Sequence, residues 1–287
     1  MSISSSAVLC DLSIGVWTAR KLDRRVSEEV DAMKGATVRA GNYSKNLLAG
    51  SSLLDRIVKH AGATRNWHAQ HTLPWTDTGT RLLPTKNFLD YKTGINERRA
   101  EFESLVTAFI NEYPNLVSAA VARLGGMCDL SEYPDVGVLE GKFKFSLAFS
   151  PLAQAGDFRI DAENSTREEL ETQYAQNMKD KEEAAMRELW TEMHDMMAHL
   201  SERLTDVTTD AGDVKHKQFR STLVENVLAR CSVLTKLNIT NDPRLEQARM
   251  DLEKVLCGTH VEVLRTSNEA RNVVKSGVDA ILSKMEW

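Results

Sequence analysis

The chain has 287 residues, of which 42% are hydrophobic, 27% charged and 6% aromatic, and its net charge at pH 7 is −5. That balance supplies a substantial core and excludes wholesale disorder. Nowhere do about 18 apolar residues run together, which excludes a membrane-spanning helix.

Residues 11–34 carry Leu12, Val16, Ala19, Leu22, Val26, Val30 and Met33 on one helical face, and a second helix is predicted from Ser44 to His60, with a further helical stretch near Arg65–Gln70. From His71 to Pro84, two prolines and Gly79 break the period and predict a structured loop. A helix follows from Thr85 to Tyr113, weakened by Gly94. Pro114 marks a junction before another helix reaches Leu124. Phe143, Phe145, Leu147 and Phe149 then alternate with smaller or charged residues, a period of two. A loop at Pro151–Gly156 lets Phe158–Ile160 return as a second strand, giving a β-hairpin over 142–160.

From Ser165 to Val207 neither Pro nor Gly interrupts, and Asn164-Ser165-Thr166 followed by Arg167-Glu168-Glu169 forms a capped start. One helix of roughly 40 residues is predicted, far beyond the usual length. Leu189, Met193, Met196, Leu200, Leu204 and Val207 make a seam at three-to-four spacing, which predicts a packing face for a partner. Helices over 219–237, 242–256 and 261–285 complete the chain, with Asp242-Pro243 a favourable start for the second of these. The fold class is mainly α: a helical bundle with one short β-hairpin and a long coiled-coil-like helix.

Charge divides the chain. Residues 1–100 hold 15 basic and 9 acidic side chains, and the remainder 21 basic and 32 acidic. A basic helical lobe is expected over 1–160, containing the loop 71–84 and the hairpin 142–160, with an acidic lobe of long helices over 161–287. Cys10, Cys128, Cys231 and Cys257 are too scattered for a zinc framework or a disulfide scaffold, so reduced thiols in a cytoplasm are expected. Met1 to Cys10 lacks a basic segment leading into a long apolar run, and no signal peptide is expected.

Candidate chemistry is sparse. His68-x-x-His71 would put two imidazoles on one helix face, but no third ligand is suitably spaced, and a structural histidine cluster explains the pair better than a metal site does. Glu188, Glu192, Asp195 and His199 form a stripe on the long helix. They lack the paired Glu-x-x-His motifs of a di-metal bundle and read as a solvated face. Asp77-Thr78-Gly79 matches the aspartic-protease tripeptide without its β-rich context, and no phosphate-binding or nucleophile-elbow motif occurs. The expectation is therefore no catalytic residues and no cofactor. Trp17, Arg20, Lys21, Arg24, Arg25, Trp67, Trp75 and Arg81 together offer cations for phosphates and aromatic faces for bases, the ingredients of a single-strand-binding groove. Against it stands an overall pI of about 5.9.

Three stretches carry a resemblance to a known family: Leu9-Cys10-Asp11-Leu12-Ser13-Ile14-Gly15-Val16-Trp17 with Arg20-Lys21 behind it, Leu73-Pro74-Trp75 leading to Gly79-Thr80-Arg81, and Tyr133-Pro134 followed by Gly156-Asp157-Phe158-Arg159-Ile160. Over most of residues 8–205 the chain resembles a family of phage and prophage proteins classed as a domain of unknown function. The resemblance implies a phage-associated protein of the infected host's cytoplasm, sometimes encoded near AAA+ ATPase genes, and carries over no catalytic residues. The leading expectation is a non-enzymatic interaction or assembly protein. It would act through the Leu189–Leu204 seam on a protein partner (the AAA+ ATPase among the candidates) or as a homo-oligomer. Binding of single-stranded nucleic acid is the alternative, and a metal-dependent enzyme at His68 and His71 the least favoured; no membrane contact is expected.

Overall fold

The computed structural model describes residues 3–153, 164–205, 207–208, 214–215 and 222–285. The chain is mainly α, with a small antiparallel sheet. In order it forms α1 (Ile3–Ser6), β1 (Ala7–Gly15), β2 (Arg20–Asp23), α2 (Arg24–Met33), β3 (Tyr43–Asn46), α3 (Ser52–Gln70), β4 (Leu73–Pro74), β5 (Arg81–Pro84), α4 (Phe88–Leu124), α5 (Val136–Glu140), β6 (Lys144–Pro151) and α6 (Asn164–Leu204). Then come β7 (Val207–Thr208), β8 (Val214–Lys215), α7 (Leu223–Leu237), α8 (Pro243–Leu256), α9 (Val261–Thr266) and α10 (Asn268–Leu282). These elements fall into two compact units that interleave along the chain instead of dividing near residue 160. Unit 1 comprises 1–11, 69–91 and 149–287; unit 2 comprises 12–68 and 92–148.

Unit 1 is a helical bundle with a sheet attached. β1 pairs antiparallel with β5 from Ala7↔Pro84 to Cys10↔Arg81, and β5 pairs with β4 through Leu73↔Leu82 and Pro74↔Arg81. The expected loop 71–84 is thus a small hairpin, turned at Thr76–Thr80, where Gly79 takes φ +103°. The second half of α6 packs on α7 and α10, with α8 beyond. The core joins Leu189, Met193, Met197, Leu200 and Leu204 of α6 to Leu234, Leu252 and Val278 of the neighbouring helices. Asp242 caps α8 by accepting from the Arg244 amide at 2.9 Å and also accepts from the Trp190 indole at 3.1 Å. The helix expected over 261–285 is two. Ser267 takes extended backbone (φ −115°, ψ 114°) and caps α10 through the Ala270 amide, so the cap oxygen ends α9 and starts α10.

Unit 2 is built around α3 and α4. Ile57, Phe102, Phe109 and Leu139 are fully or nearly fully buried, and Phe109 meets Phe143 edge to face at 5.6 Å between ring centroids. α4 runs unbroken through Pro114, whereas a junction was expected there. An interior proline costs a helix about 3 kcal/mol. Packing on both sides offsets it: Phe109 and Tyr113 are buried before it and Ala120 after it, and the Tyr113 hydroxyl donates to the Pro134 carbonyl at 3.0 Å.

The N-terminal helix expected over 11–34 is corrected more thoroughly. Only Arg24–Met33 is helical, and the residues before it form β1 and β2; Ser44 to Asn46, likewise expected as helix, belong to β3. Leu12, Val16 and Ala19 satisfy a helical period, but Val8, Leu12, Ile14 and Val16 also alternate, and β1 runs on to Gly15 beyond Cys10, where its pairing with β5 ends. β6 lies beside β1 in the sheet order β4-β5-β1-β6. The return strand expected at Phe158–Ile160 lies outside the described residues.

Candidate functional site

The densest exposed charge in unit 2 gathers where β2 turns into α2. β2 pairs antiparallel with β3 in the register Arg20↔Asn46, Lys21↔Lys45, Leu22↔Ser44 and Asp23↔Tyr43. Just before β2, buried Ala19 takes φ +52°, and its carbonyl accepts from the Leu47 amide at 2.8 Å, which closes that end of the ribbon. A non-glycine residue in this region costs about 1 kcal/mol or more, so the turn is held by its surroundings. Directly opposed cations repel, yet Lys21 and Lys45 face each other. Lys45 is turned inward, 6% exposed: its Nζ lies 2.7 Å from Glu132 and 3.4 Å from Asp23, and it donates to the Met127 carbonyl at 2.9 Å. Two carboxylates and a carbonyl thus neutralise a buried ammonium and tie the ribbon to the 127–132 segment.

Above this post lies an open cleft of about 930 Å³. Lys21, Leu22, Arg24 and Arg25 form one wall, and Asp129 and Leu130 stand on the other. Arg24 and Arg25 are the first two residues of α2, whose first turn carries no acid. Cations at the positive end of a helix dipole cost a few tenths of a kcal/mol each. The placement therefore works against the stability of α2, the kind of local conflict expected at a functional surface. Among the described residues Arg20, Lys21 and Arg24 form no ion pair, while Arg25 makes an exposed contact with Glu29 at 3.6 Å. Large apolar side chains share the cleft: Leu22 is 43% and Leu130 61% exposed. On the outer face of α2, Val30 and Met33 are exposed too.

Electrostatics fix where the cleft holds together. The hydrogen bond from Glu132 raises the Lys45 ammonium above its ordinary range, outweighing its burial. The Val26 amide lowers the Asp23 carboxyl, with Lys45 assisting; the Ser131 hydroxyl and amide lower that of Asp129. A lowered carboxyl contributes stability above its unfolded value of about 3.9 and loses it as pH falls through the folded value. A raised lysine contributes below about 10.4 and loses it as pH climbs through the folded value. The melting temperature is accordingly expected to hold between about pH 5 and 9 and to fall below about pH 4. Asp23→Asn lowers that plateau and flattens the acid limb, which thermal melts across pH will show; an acid limb of unchanged steepness would refute the assignment.

Of the eight residues expected to form a nucleic-acid groove, the structure brings three together in the cleft, Lys21, Arg24 and Arg25, while Arg20 is exposed at the start of β2 and does not line it. Trp17, half-buried in the same unit, packs on Phe109 and Tyr113 with centroids at 6.4 and 6.0 Å. Trp67 lies under the Arg98 guanidinium at 4.2 Å. Trp75 belongs to unit 1 and is 7% exposed, with Lys181 over its ring at 5.6 Å. Arg81, also in unit 1, donates to the Ala69 and Thr72 carbonyls and the Thr72 hydroxyl, and burial lowers its pKa. The stacking platform expected of these tryptophans is therefore not assembled: each ring is engaged in packing.

The expected partner seam is interior. Leu189, Met193, Leu200 and Leu204 are buried in the core of unit 1 and Met196 is half-buried against it, so a partner reaching them would have to displace α7 or α10. Of the acidic stripe on α6, Glu192 holds Arg230 in a bidentate pair and His199 accepts from Arg203 at 3.2 Å. His68 is buried at the end of α3 in unit 2, whereas His71 belongs to unit 1, where its carbonyl accepts from Asn87 at 2.8 Å. Among the described residues no group of three or more His, Cys, Asp or Glu side chains is placed to hold a metal ion. Asp77-Thr78-Gly79 sits in the β4–β5 turn. No helix among the described residues is long and apolar enough to cross a membrane.

Sequence reasoning missed Lys45, Glu132, Leu22 and Leu130. Tyr43-Ser44-Lys45-Asn46 carries no apolar alternation that would mark a strand, so no local signal pointed to them. Comparisons with protein-family models, curated proteins and solved structures find no match to this chain.

Proposed function

We propose that this chain is a non-enzymatic interaction protein that takes an acidic, partly apolar protein surface into the cleft of unit 2. One observation carries the reading: Lys21, Arg24 and Arg25 share that cleft with exposed Leu22 and Leu130. Cations alone would suit any polyanion. Apolar side chains beside them gain only from a partner that brings apolar surface of its own, since burial stabilises by about 25 cal/mol per Å². A nucleic acid would supply phosphates for the arginines, but its bases would find no aromatic platform among the packed tryptophans. That second reading keeps the support of the unpaired Arg20, Lys21 and Arg24. The phage-family resemblance adds a setting, the cytoplasm of an infected bacterium, and one candidate partner, an AAA+ ATPase.

The test is fluorescence anisotropy with a labelled amphipathic helical peptide of Glu and Leu, its Lys-for-Glu counterpart, and labelled single- and double-stranded DNA, at about 50 and 200 mM salt. Saturable binding of the acidic peptide alone is expected, weakened at least tenfold by Arg24→Glu with Arg25→Glu. Those changes place acids at the start of α2, where the helix dipole favours them, so lost binding will not reflect a melted helix. No binding of the acidic peptide overturns the reading. DNA binding that is tighter than the peptide's and falls steeply with salt replaces it with the nucleic-acid function.

A further inference from the structure

We propose that α2 pairs antiparallel with α2 of a second copy of this chain, closing a two-fold dimer; the inference goes beyond the docking reading and shares only Leu22 and Arg25 with it. α2 has ten residues, of which Ser27 alone is buried, and among the described residues none of its side chains joins the core of unit 2. Helices shorter than about 12–15 residues are marginal in water and draw their stability from packing an apolar face. α2 has such a face. Val26, Val30 and Met33 fall at i, i+4 and i+7, one stripe of the helix. Met33 is 80% exposed and Val30 45%, while Val26 is half-buried. Leu22 stands exposed just ahead of the Asp23 cap, at the N-terminal end of the helix.

The charges of α2 identify the occupant. Arg24 and Arg25 open the helix with no acid in its first turn, and Glu28, Glu29 and Asp31 follow with no base in its last turn. Each end therefore carries the sign that its own dipole disfavours. An antiparallel copy reverses the match, because its acidic half lies along this copy's basic half and its basic half along the acidic one. A parallel copy would set like charges side by side. The side chains also fix a register. A two-fold axis crossing at the level of Ser27 and Glu28 sets Val26 against Val30 of the second copy and Arg25 against its Glu29, and brings Leu22 level with its Met33. Arg25 and Glu29 lie on one edge of the stripe, four residues apart, and already touch within the helix at 3.6 Å. One operation thus serves the apolar stripe and both charges, which is the self-complementarity an isologous interface requires. One short helix from each copy makes a small contact, and contacts below about 1,200 Å² belong to weak, transient pairs. The dimer is accordingly expected to dissociate with a constant of roughly 100 µM.

Sedimentation velocity of the full-length protein from about 10 µM to about 1 mM spans that constant. The wild type is expected to pass from monomer to dimer and no further, since a two-fold contact closes on itself. Val30→Lys with Met33→Lys is expected to weaken the dimer at least tenfold with an unchanged circular-dichroism spectrum, because lysine suits a helix and a base in the last turn suits the dipole. Arg25→Glu and Glu29→Lys then test the register. Alone, each variant sets like charges against each other twice and is expected to weaken the dimer about tenfold at about 50 mM salt, where exposed charges are little screened. Mixed in equal amounts, the two recover the wild-type affinity, since both cross-pairs are again of opposite sign. A wild type that stays monomeric throughout, charge variants that dimerise as the wild type does, or a mixture no tighter than its components overturns the proposal. If the chain is monomeric and the acidic peptide still binds, the docking reading stands and only this inference falls. If the chain dimerises through α2 and the peptide fails, the docking reading falls alone.

Discussion

Leu200→Ala is expected to cost about 3 kcal/mol and to lower the melting temperature of unit 1 by roughly 6–12 °C, with no change in association. The Leu200 side chain is fully buried in the core that α6 shares with α7, α8 and α10. Truncation removes three carbons and leaves a cavity whose walls are helices pinned elsewhere. Next to it, the Ser201 hydroxyl donates to Asp279 of α10 at 2.5 Å, and Lys275 pairs with the same carboxylate at 2.5 Å. The first bond ties α6 to α10 and the second, within α10, fixes the carboxylate that accepts it, so the site collapses little around the missing atoms. Met196→Ala, on the half-buried edge of the same seam, is expected to cost about 1 kcal/mol or less. Thermal and denaturant melts of both variants decide between an interior seam and a partner face. If Leu200→Ala left the monomer's stability intact and weakened a complex instead, the seam would be an interface after all.

That contrast shows what the sequence could and could not disclose. The length of α6 was legible because no Pro or Gly interrupts 165–204, and the start of α8 because Asp242-Pro243 has a single economical reading. The destination of the seam was not legible. Leu and Met at three-to-four spacing specify a buried stripe, and the same stripe serves a partner or the chain's own α10. β1 was lost to an ambiguity of period, since Leu12, Val16 and Ala19 fit a helix as readily as Leu12, Ile14 and Val16 fit a strand. In the cleft, Lys21, Arg24 and Arg25 were visible as exposed charge. Lys45 was not, because a lysine is buried only when Asp23 and the 127–132 segment, with Glu132 and the Met127 carbonyl, converge on it from two distant places in the chain, and no local rule anticipates that. The tryptophans misled for a related reason: composition does not tell a ring that stacks on a base from one that packs on Phe109 or under Arg98.

Gly94→Ala should destabilise unit 2, against the usual sign of the exchange. Within a helix alanine is favoured over glycine by about 1 kcal/mol, and Gly94 lies inside α4, whose backbone alanine would suit. The obstacle is Trp67 on α3. A Cβ at position 94 would stand 2.6 Å and 2.9 Å from two carbons of the indole, well inside contact distance. The ring has little freedom to yield, because Arg98, one turn further along α4, covers it at 4.2 Å and donates to the Gly94 carbonyl at 3.4 Å. Overpacking of this kind costs about 1–3 kcal/mol, which cancels the helix gain and leaves a net loss of up to about 2 kcal/mol. The glycine permits α3 and α4 to approach closely, and the indole fills the space it leaves. Trp67→Leu tests the attribution. That change alone destabilises, but on its background Gly94→Ala should recover the ordinary helix gain of about 1 kcal/mol. A double-mutant cycle by urea denaturation reads the coupling directly. If the alanine costs the same with leucine at position 67 as with tryptophan, the clash is not what requires glycine there.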